Sequence, residues 1–556
     1  MPLRRTLLTA ALAAAVFSTP LRAQEPADWV DPFIGTTNFG TTNPGAVCPN
    51  GMMSVVPFNV MGSDENLYDK DARWWSAPYE YRNKFFTGFA HVTLSGVGCP
   101  ELGSLLVMPT AGALDVDYRN YGSAYTGQTA SPGYYSNLLT KYGIRTEVTA
   151  TPRTSAERYT FPEGTGHILL NLGEGLTNES GAWVRRVSDT EVEGMKLLGT
   201  FCYNPQKVFP VYFVLRVTKN PSSSGYWKKQ RPMTGVEAEW DPDNGRYKLY
   251  TRYQKELAGD DIGAYLTFDT EEGEQVEVQM GVSFVSMENA RLNLDTEQQG
   301  KNFGQVLEEA RRRWNDDLSR ILVEGGTEEQ QKTFYSCLYR TLLFPREFYE
   351  FDKNEAPVYY SPYDGQIHNG YMYTDNGFWD TFRAVHPLFT LVYPEVSERI
   401  MQSIVNAYSE SGFMPEWASP GHRGCMIGNN SISLLTDAWM KGIRTFDKDK
   451  ALEAMLNQTR ARSEEISSVG RDGYAEYDRL GYVPYPEVHE ATAKTLEYAY
   501  ADWCLARFAE KTGHQEVAAE YYKKAQNYRN LFYPEKGFMW AKDANGKWRD
   551  NFDATE

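Results

Sequence analysis

The sequence predicts two unlike halves: an N-terminal antiparallel β-sandwich, a linker helix, and then an incomplete (α/α)6 toroid. Three observations carry this expectation. Up to about residue 290 the apolar residues fall in short β-branched and aromatic runs, several of them alternating, with turn residues between. Near residue 300 the period changes to that of an amphipathic helix. Beyond it, helical segments alternate with loops heavy in Gly, Pro, Trp, His and Asn. The predicted boundaries are 1–23, 24–290, 291–326 and 327–556.

The first segment, Met1 to Ala23, carries Arg4-Arg5, an apolar run from Leu7 to Phe17, and small or turn residues after it. That is the three-part pattern of a secretory signal peptide, so an exported protein, periplasmic or secreted, is expected. No Cys follows the run, and nothing else reaches 18 consecutive apolar residues, so neither a lipid anchor nor a membrane span is expected. Strands are predicted at Ser104–Met108, His167–Asn171, Val211–Val217 and Val276–Ser286, with a hairpin turn at Asp241–Gly245. Pro and Gly crowd Asp31 to Pro57, which reads as a long loop region. Asn302 to Leu322 reads as a charged helix with one apolar stripe. Seven helical segments follow: Glu328–Phe344, Asn376–Val392, Glu395–Ser409, Asn429–Gly442, Lys448–Ile466, Ala491–Thr512 and Gln515–Phe532. A closed ring of helical hairpins needs about twelve helices, so the ring is expected to be unfinished at Glu556.

Composition narrows the function. With 56 Lys and Arg against 73 Asp and Glu, the formal charge of −17 argues against a nucleic-acid partner. The 41% apolar and 14% aromatic content excludes a disordered chain. Six scattered cysteines form no C-x-x-C pair, so zinc is not indicated; an oxidising compartment permits one or two bridges, and buried thiols such as Cys504 are the expectation for most of them. There is no G-x-S-x-G elbow, phosphate loop or H-E-x-x-H; His489-Glu490 lacks its second His. Plentiful acids beside Trp in loops suit glycoside hydrolysis, where one carboxyl protonates the leaving oxygen and another activates water.

Several longer motifs stand in a fixed order: Asp31-Pro-Phe-Ile-Gly-Thr36, Gly88 to Pro100, Trp379-Asp-Thr-Phe-Arg383 continuing to Pro387, and Cys425-Met-Ile-Gly-Asn429. Gly481-Tyr-Val-Pro484 and Lys494 to Trp503 follow. Together they resemble glycoside hydrolase family 92, the exo-acting α-mannosidases. The resemblance implies a β-sandwich joined to a toroid, with the site between them. It also implies calcium-dependent, inverting release of terminal mannose from N-glycan or mannan-type glycans. In that pattern the catalytic Glu lies in a Glu-Gly-Asn-Ala-Trp-like stretch and the base Asp in a later Asn-Asp-Asp-like one, with the calcium ligands nearby. None of these stretches occurs here, so the catalytic pair and calcium ligands are expected beyond Glu556, with no metal ligand in this chain and no activity from it alone. Two alternatives stand beside this reading: another α/α-toroid glycosidase, or a non-catalytic glycan-binding protein.

Candidate substrate contacts are Trp379, Asp380, Arg383, His91, Glu416 and Trp417. Asp380 would accept bonds from sugar hydroxyls beside a Trp379 wall, and Arg383 would orient a carboxylate. The loop Met414–Asn430 carries Glu416, Trp417, His422 and Arg423, which are costly to bury without partners and suit either loop pinning or the mouth of a site. His91 and Ser95 lean toward structural hydrogen bonding. Glu490, Glu497 and Asp502 read as helix residues with ordinary partners. The loops near Asn38–Asn50 or His91–Cys99 are expected to approach the loop around Trp379.

Overall fold

Two antiparallel sheets dominate the N-terminal half of the computed structural model, which describes residues 24–72, 75–176, 181–198, 208–230, 245–251, 254–466 and 469–555. The signal-peptide segment and most of the Asp241–Gly245 turn lie outside the described residues. The eight-stranded sheet centres on Leu102–Ala111 and Gly164–Asn171; the ten-stranded sheet centres on Glu274–Ser283 and Thr154–Phe161. Period-two patterning builds them: in Ile144–Ala150, Ile144, Thr146 and Val148 are buried while Arg145 is exposed. Rings join the sheets, with Phe89 edge-on to Tyr135 at 6.0 Å. Within Asp31–Pro57, where a long loop is expected, the short strand Ala46–Val47 instead pairs with Ser54–Phe58.

The single linker helix expected near residue 300 is two helices, Met287–Gln298 and Phe303–Leu318. Gly300, at φ +76°, breaks the run, and Asn302 with Gln305 forms a capping box that starts the second helix. The first helix packs on the ten-stranded sheet at Gly281, where a Cβ would lie 2.5 Å from the Ala290 carbonyl oxygen. The second is anchored by buried Trp314, whose Nε1 donates to Val47 O at 2.7 Å.

The helical half begins at Glu328–Thr341 under a Thr327–Gln330 capping box and continues through Pro394–Ser411, Asn430–Met440, Lys448–Arg460, Ala491–Thr512 and Gln515–Lys524. Tyr474–Leu480 is a further helix that sequence reading missed. The predicted Asn376–Val392 segment divides into Phe378–Thr381 and Val385–Val392. Two causes act together. The Thr381 hydroxyl is held by Asn376 Oδ1 (2.6 Å) and Gly377 O (3.0 Å), and Pro387 belongs in the first turn of a new helix.

Buried polar contacts lock the halves together. Arg153, at a sandwich turn, donates to Glu297 Oε1 and Glu347 Oε2, each at 3.1 Å, and to Tyr349 O at 3.2 Å. Asn50 exchanges backbone bonds with Leu342 and Glu347, and its side chain donates to Pro345 O at 2.7 Å. Arg340 reaches back to Pro32 O and Ile34 O.

Burial raises the Glu347 carboxyl, and the Arg153 charge opposes that rise. Arg153→Met removes the cation and strands two carboxylates, so it should cost about 3–5 kcal/mol of stability, read from urea midpoints. A loss under about 1 kcal/mol would mean the pair is not essential to docking.

His386 supplies a pH prediction. It is buried between the edges of Phe378 and Phe389, its Nε2 3.4 Å from Asn376 Oδ1, and burial pushes its pKa down to about 4. Between pH 6.5 and 4 the unfolded chain therefore binds this proton more readily than the folded one, so stability falls as pH drops. His386→Phe should lose less stability than the parent between pH 7 and 4.5; equal slopes would exclude this histidine as a cause.

Candidate active site

A cleft of about 450 Å³ opens where the sandwich meets the helical half. Residues 94–99 and Glu101 form its sandwich wall; Asn376, Gly377, Asp380 and Thr381 face them, and Trp417, Arg423, Cys425 and Met426 add a third side. The expected approach of the His91–Cys99 loop to the loop around Trp379 is thus present in residues 94–99 and Asp380. Asn43 helps fix the sandwich loop: its side chain donates to Leu94 O at 2.9 Å, and its N–H to Ser95 Oγ at 3.3 Å.

A short antiparallel pairing, Asn376 with Ala418 and Gly377 with Trp417, joins the other two sides edge to edge. Glycine is required at 377, because a Cβ there would stand 2.2 Å from Trp417 Nε1. Just before it, Asp375 takes a left-handed φ of 59°, an uncommon conformation for a side chain. Its carboxylate is gripped by Arg346 Nε and accepts Ser419 Oγ at 2.8 Å, which holds the turn.

The charges of the cleft are largely matched in place. Glu101 pairs with Arg423 across the two halves, and Asp375 pairs with Arg346. Burial pushes the Arg423 pKa down to about 10. Among the described residues lining the cleft, Asp380 is the exposed carboxylate without an arginine partner. Cys99 is disulfide-bonded, and Cys425 is a half-buried free thiol.

The six candidate contacts separate clearly. Asp380 and Trp417 line the cleft. Trp379 and Arg383 lie outside that lining, with the guanidinium 4.8 Å above the Trp379 ring. Arg383 also acts on Glu497: burial raises that carboxyl, and the Arg383 charge opposes the rise. His91 is an internal bridge of the sandwich, its Nδ1 donating to Leu105 O (2.8 Å) and its Nε2 2.9 Å from Glu157 Oε1. Both ring nitrogens are therefore committed inside the sandwich, one to its own sheet and one to the facing sheet, away from sugar.

Glu416 is likewise turned inward. It accepts Ser431 N (3.1 Å), Ser431 Oγ (2.8 Å) and Gln458 Nε2 (2.9 Å), and burial pushes its pKa up to about 7. His422 pins the same loop through Ser411 Oγ at 2.8 Å. Glu101, Asp375, Thr381, Cys425 and Met426 line the cleft without having been singled out for it. The Asp-Asn-Gly sequence at 375–377 was the available signal, since such a triplet marks a tight turn.

Calcium, implied by the resemblance, finds no fitting donor set here. Among the described residues no group of three or more His, Cys, Asp or Glu side chains could hold a metal. Two of the three cleft carboxylates are already neutralised by arginine, so no chemistry is routed through the ion.

Residues 29–283 match the glycosyl hydrolase family 92 N-terminal domain, and residues 289–556 match the family's catalytic domain. A family 92 inverting mannosidase from Bacteroides thetaiotaomicron is 46% identical with a TM-score of 0.85, covering 96% of this chain and 69% of its own. A family 92 α-mannosidase from the same organism, solved with mannoimidazole, is 29% identical with a TM-score of 0.83, covering 95% of this chain and 67% of its own. A protein described as an uncharacterized secreted glycosidase of Arthroderma benhamiae is 23% identical over 94% of this chain and 66% of its own length. The chain spans about two thirds of the length of these relatives. No described helix is long and apolar enough to cross a membrane. Both halves, in this order and joined over one cleft, place the chain in glycoside hydrolase family 92.

Proposed function

We propose that this protein is an exported, exo-acting, inverting α-mannosidase that takes terminal mannose of N-glycan or mannan-type glycans into the cleft between its halves. The observation that carries the reading is Asp380: an exposed carboxylate without an arginine partner, on a cleft that also presents the Trp417 indole. A pyranoside offers hydroxyl donors along its edge and C–H groups on its face, and these two side chains match them. Family membership and the mannosidase relatives support the substrate class. Calcium dependence belongs to the same reading, with no ligand assigned among the described residues.

Asp380 accepts hydroxyl bonds and orients the ring, while Trp417 excludes water from one side. An inverting glycosidase needs an acid and a base roughly 6.5–9.5 Å apart with a water between them. Glu101 and Asp375 are held by arginines as wall residues, so neither takes part in proton transfer.

The test is hydrolysis of an aryl α-mannoside together with calorimetric binding of mannose. In a protein spanning the full length of its family relatives, Asp380→Ala should lower kcat/KM by at least a hundredfold, ~2.7 kcal/mol of transition-state stabilisation, with the melting temperature unchanged. A variant within threefold of the parent would sink the assignment. Mannose binding without turnover by that full-length protein would favour the glycan-binding reading. Trp417→Ala should weaken mannose binding while leaving the fold intact; unaltered affinity would remove the indole from the site.

A further inference from the structure

We propose that Glu416 is a positioning residue that sets the Trp417 wall of the cleft, resting on the reading of that cleft as a mannoside site. Glu416 never reaches the cleft; its effect passes through the next residue.

The helix Asn430–Met440 begins with an unusual deficit. Asn429 occupies the N-cap position, yet its side chain makes no cap bond. It is diverted instead, donating to Gly470 O at 3.1 Å and accepting Arg471 Nε at 2.7 Å. The backbone N–H groups of the first turn then need an acceptor from elsewhere. Glu416, 2% exposed, supplies it: Oε2 accepts Ser431 N, and Oε1 accepts Ser431 Oγ and Gln458 Nε2. One carboxylate therefore ties its own loop to two helices, Asn430–Met440 and Lys448–Arg460.

The same residue is fixed from its backbone. Glu416 O accepts Phe378 N at 3.1 Å, at the start of the helix that carries Asp380. Trp417 follows directly, paired with Gly377 and packed on its backbone. With residue 416 held at both carboxylate oxygens and at its backbone carbonyl, the indole has little freedom to shift. The sequence separation between Glu416 and its acceptor role at Ser431 is bridged by the loop containing Arg423, Cys425 and Met426, all of which line the cleft.

The test compares the parent with Glu416→Gln, which preserves size but places an amide N–H₂ among donors. Binding of methyl α-mannoside is measured by calorimetry for the parent, Glu416→Gln, Trp417→Ala and the double variant. Glu416→Gln should weaken binding at least threefold, and the same change should add less than twofold in the Trp417→Ala background, because the residue acts through the indole. A loss below threefold in the parent background, or a factor of two or more in the Trp417→Ala background, would overturn the proposal. Ser431→Ala, which deletes one donor to the same carboxylate, serves if Glu416→Gln fails to fold and carries the same thresholds. If the parent binds no mannoside, the proposed function fails, and positioning is judged from the crystal structure of the variant. An indole displaced from Gly377 by about 1 Å or more would support it, and an unmoved indole would refute it.

Discussion

A buried guanidinium sets how the two halves meet. Arg153 sits in the turn between Ile144–Ala150 and Thr154–Phe161, where an unmatched charge would be strongly destabilising. Its partners come from different places: Glu297 from the first helix after the sandwich, Glu347 from the opening of the helical half. Glu297 also accepts the Arg153 N–H and the Thr151 hydroxyl, so the turn is held by the acid it neutralises. Once this corner is fixed, Asn50 can pair with Leu342, and the loop at 94–99 is carried opposite Asp380. The cleft is a product of docking rather than of either half.

That origin explains its electrostatics. A wall made from two unlike halves needs ties across it, and charged pairs tolerate burial only when matched. Glu101–Arg423 is such a tie, linking the sandwich loop to the 414–430 loop. Asp375–Arg346 holds the strained turn before Gly377. These ions are consumed by architecture, and the exposed carboxylate left for a ligand is Asp380. A count of acids in the loops overstates the chemistry available, because Glu101 and Asp375 each answer a neighbouring cation.

Sequence patterning revealed the elements whose physics is local. Ser104–Met108 and Val211–Val217 alternate or run apolar because each lies within a sheet, and they were found inside Leu102–Ala111 and Phe209–Val217. Ala491–Thr512 was legible to its ends, since Gly513 at φ +94° stops it. The site was less legible. Asp380 and Trp417 stood out by residue type and motif, and both line the cleft. His91 stood in an equally suggestive Gly-rich stretch, yet Glu157, 66 residues away, decides its fate. No short-range pattern encodes a partner across two sheets.

Asn429 shows the same limit from the opposite side. By local rules an Asn before Asn430–Met440 should cap that helix. Arg471, buried with Asp502, takes the Asn429 oxygen instead, because a buried guanidinium loses more by lacking an acceptor than a helix end does. The cap duty then falls to Glu416 from fifteen residues upstream. A carboxylate that composition alone marks as a sugar ligand becomes the support of the wall instead. The hierarchy is physical: buried charges are satisfied first, helix ends next, and what remains exposed at the meeting of the halves is left to bind.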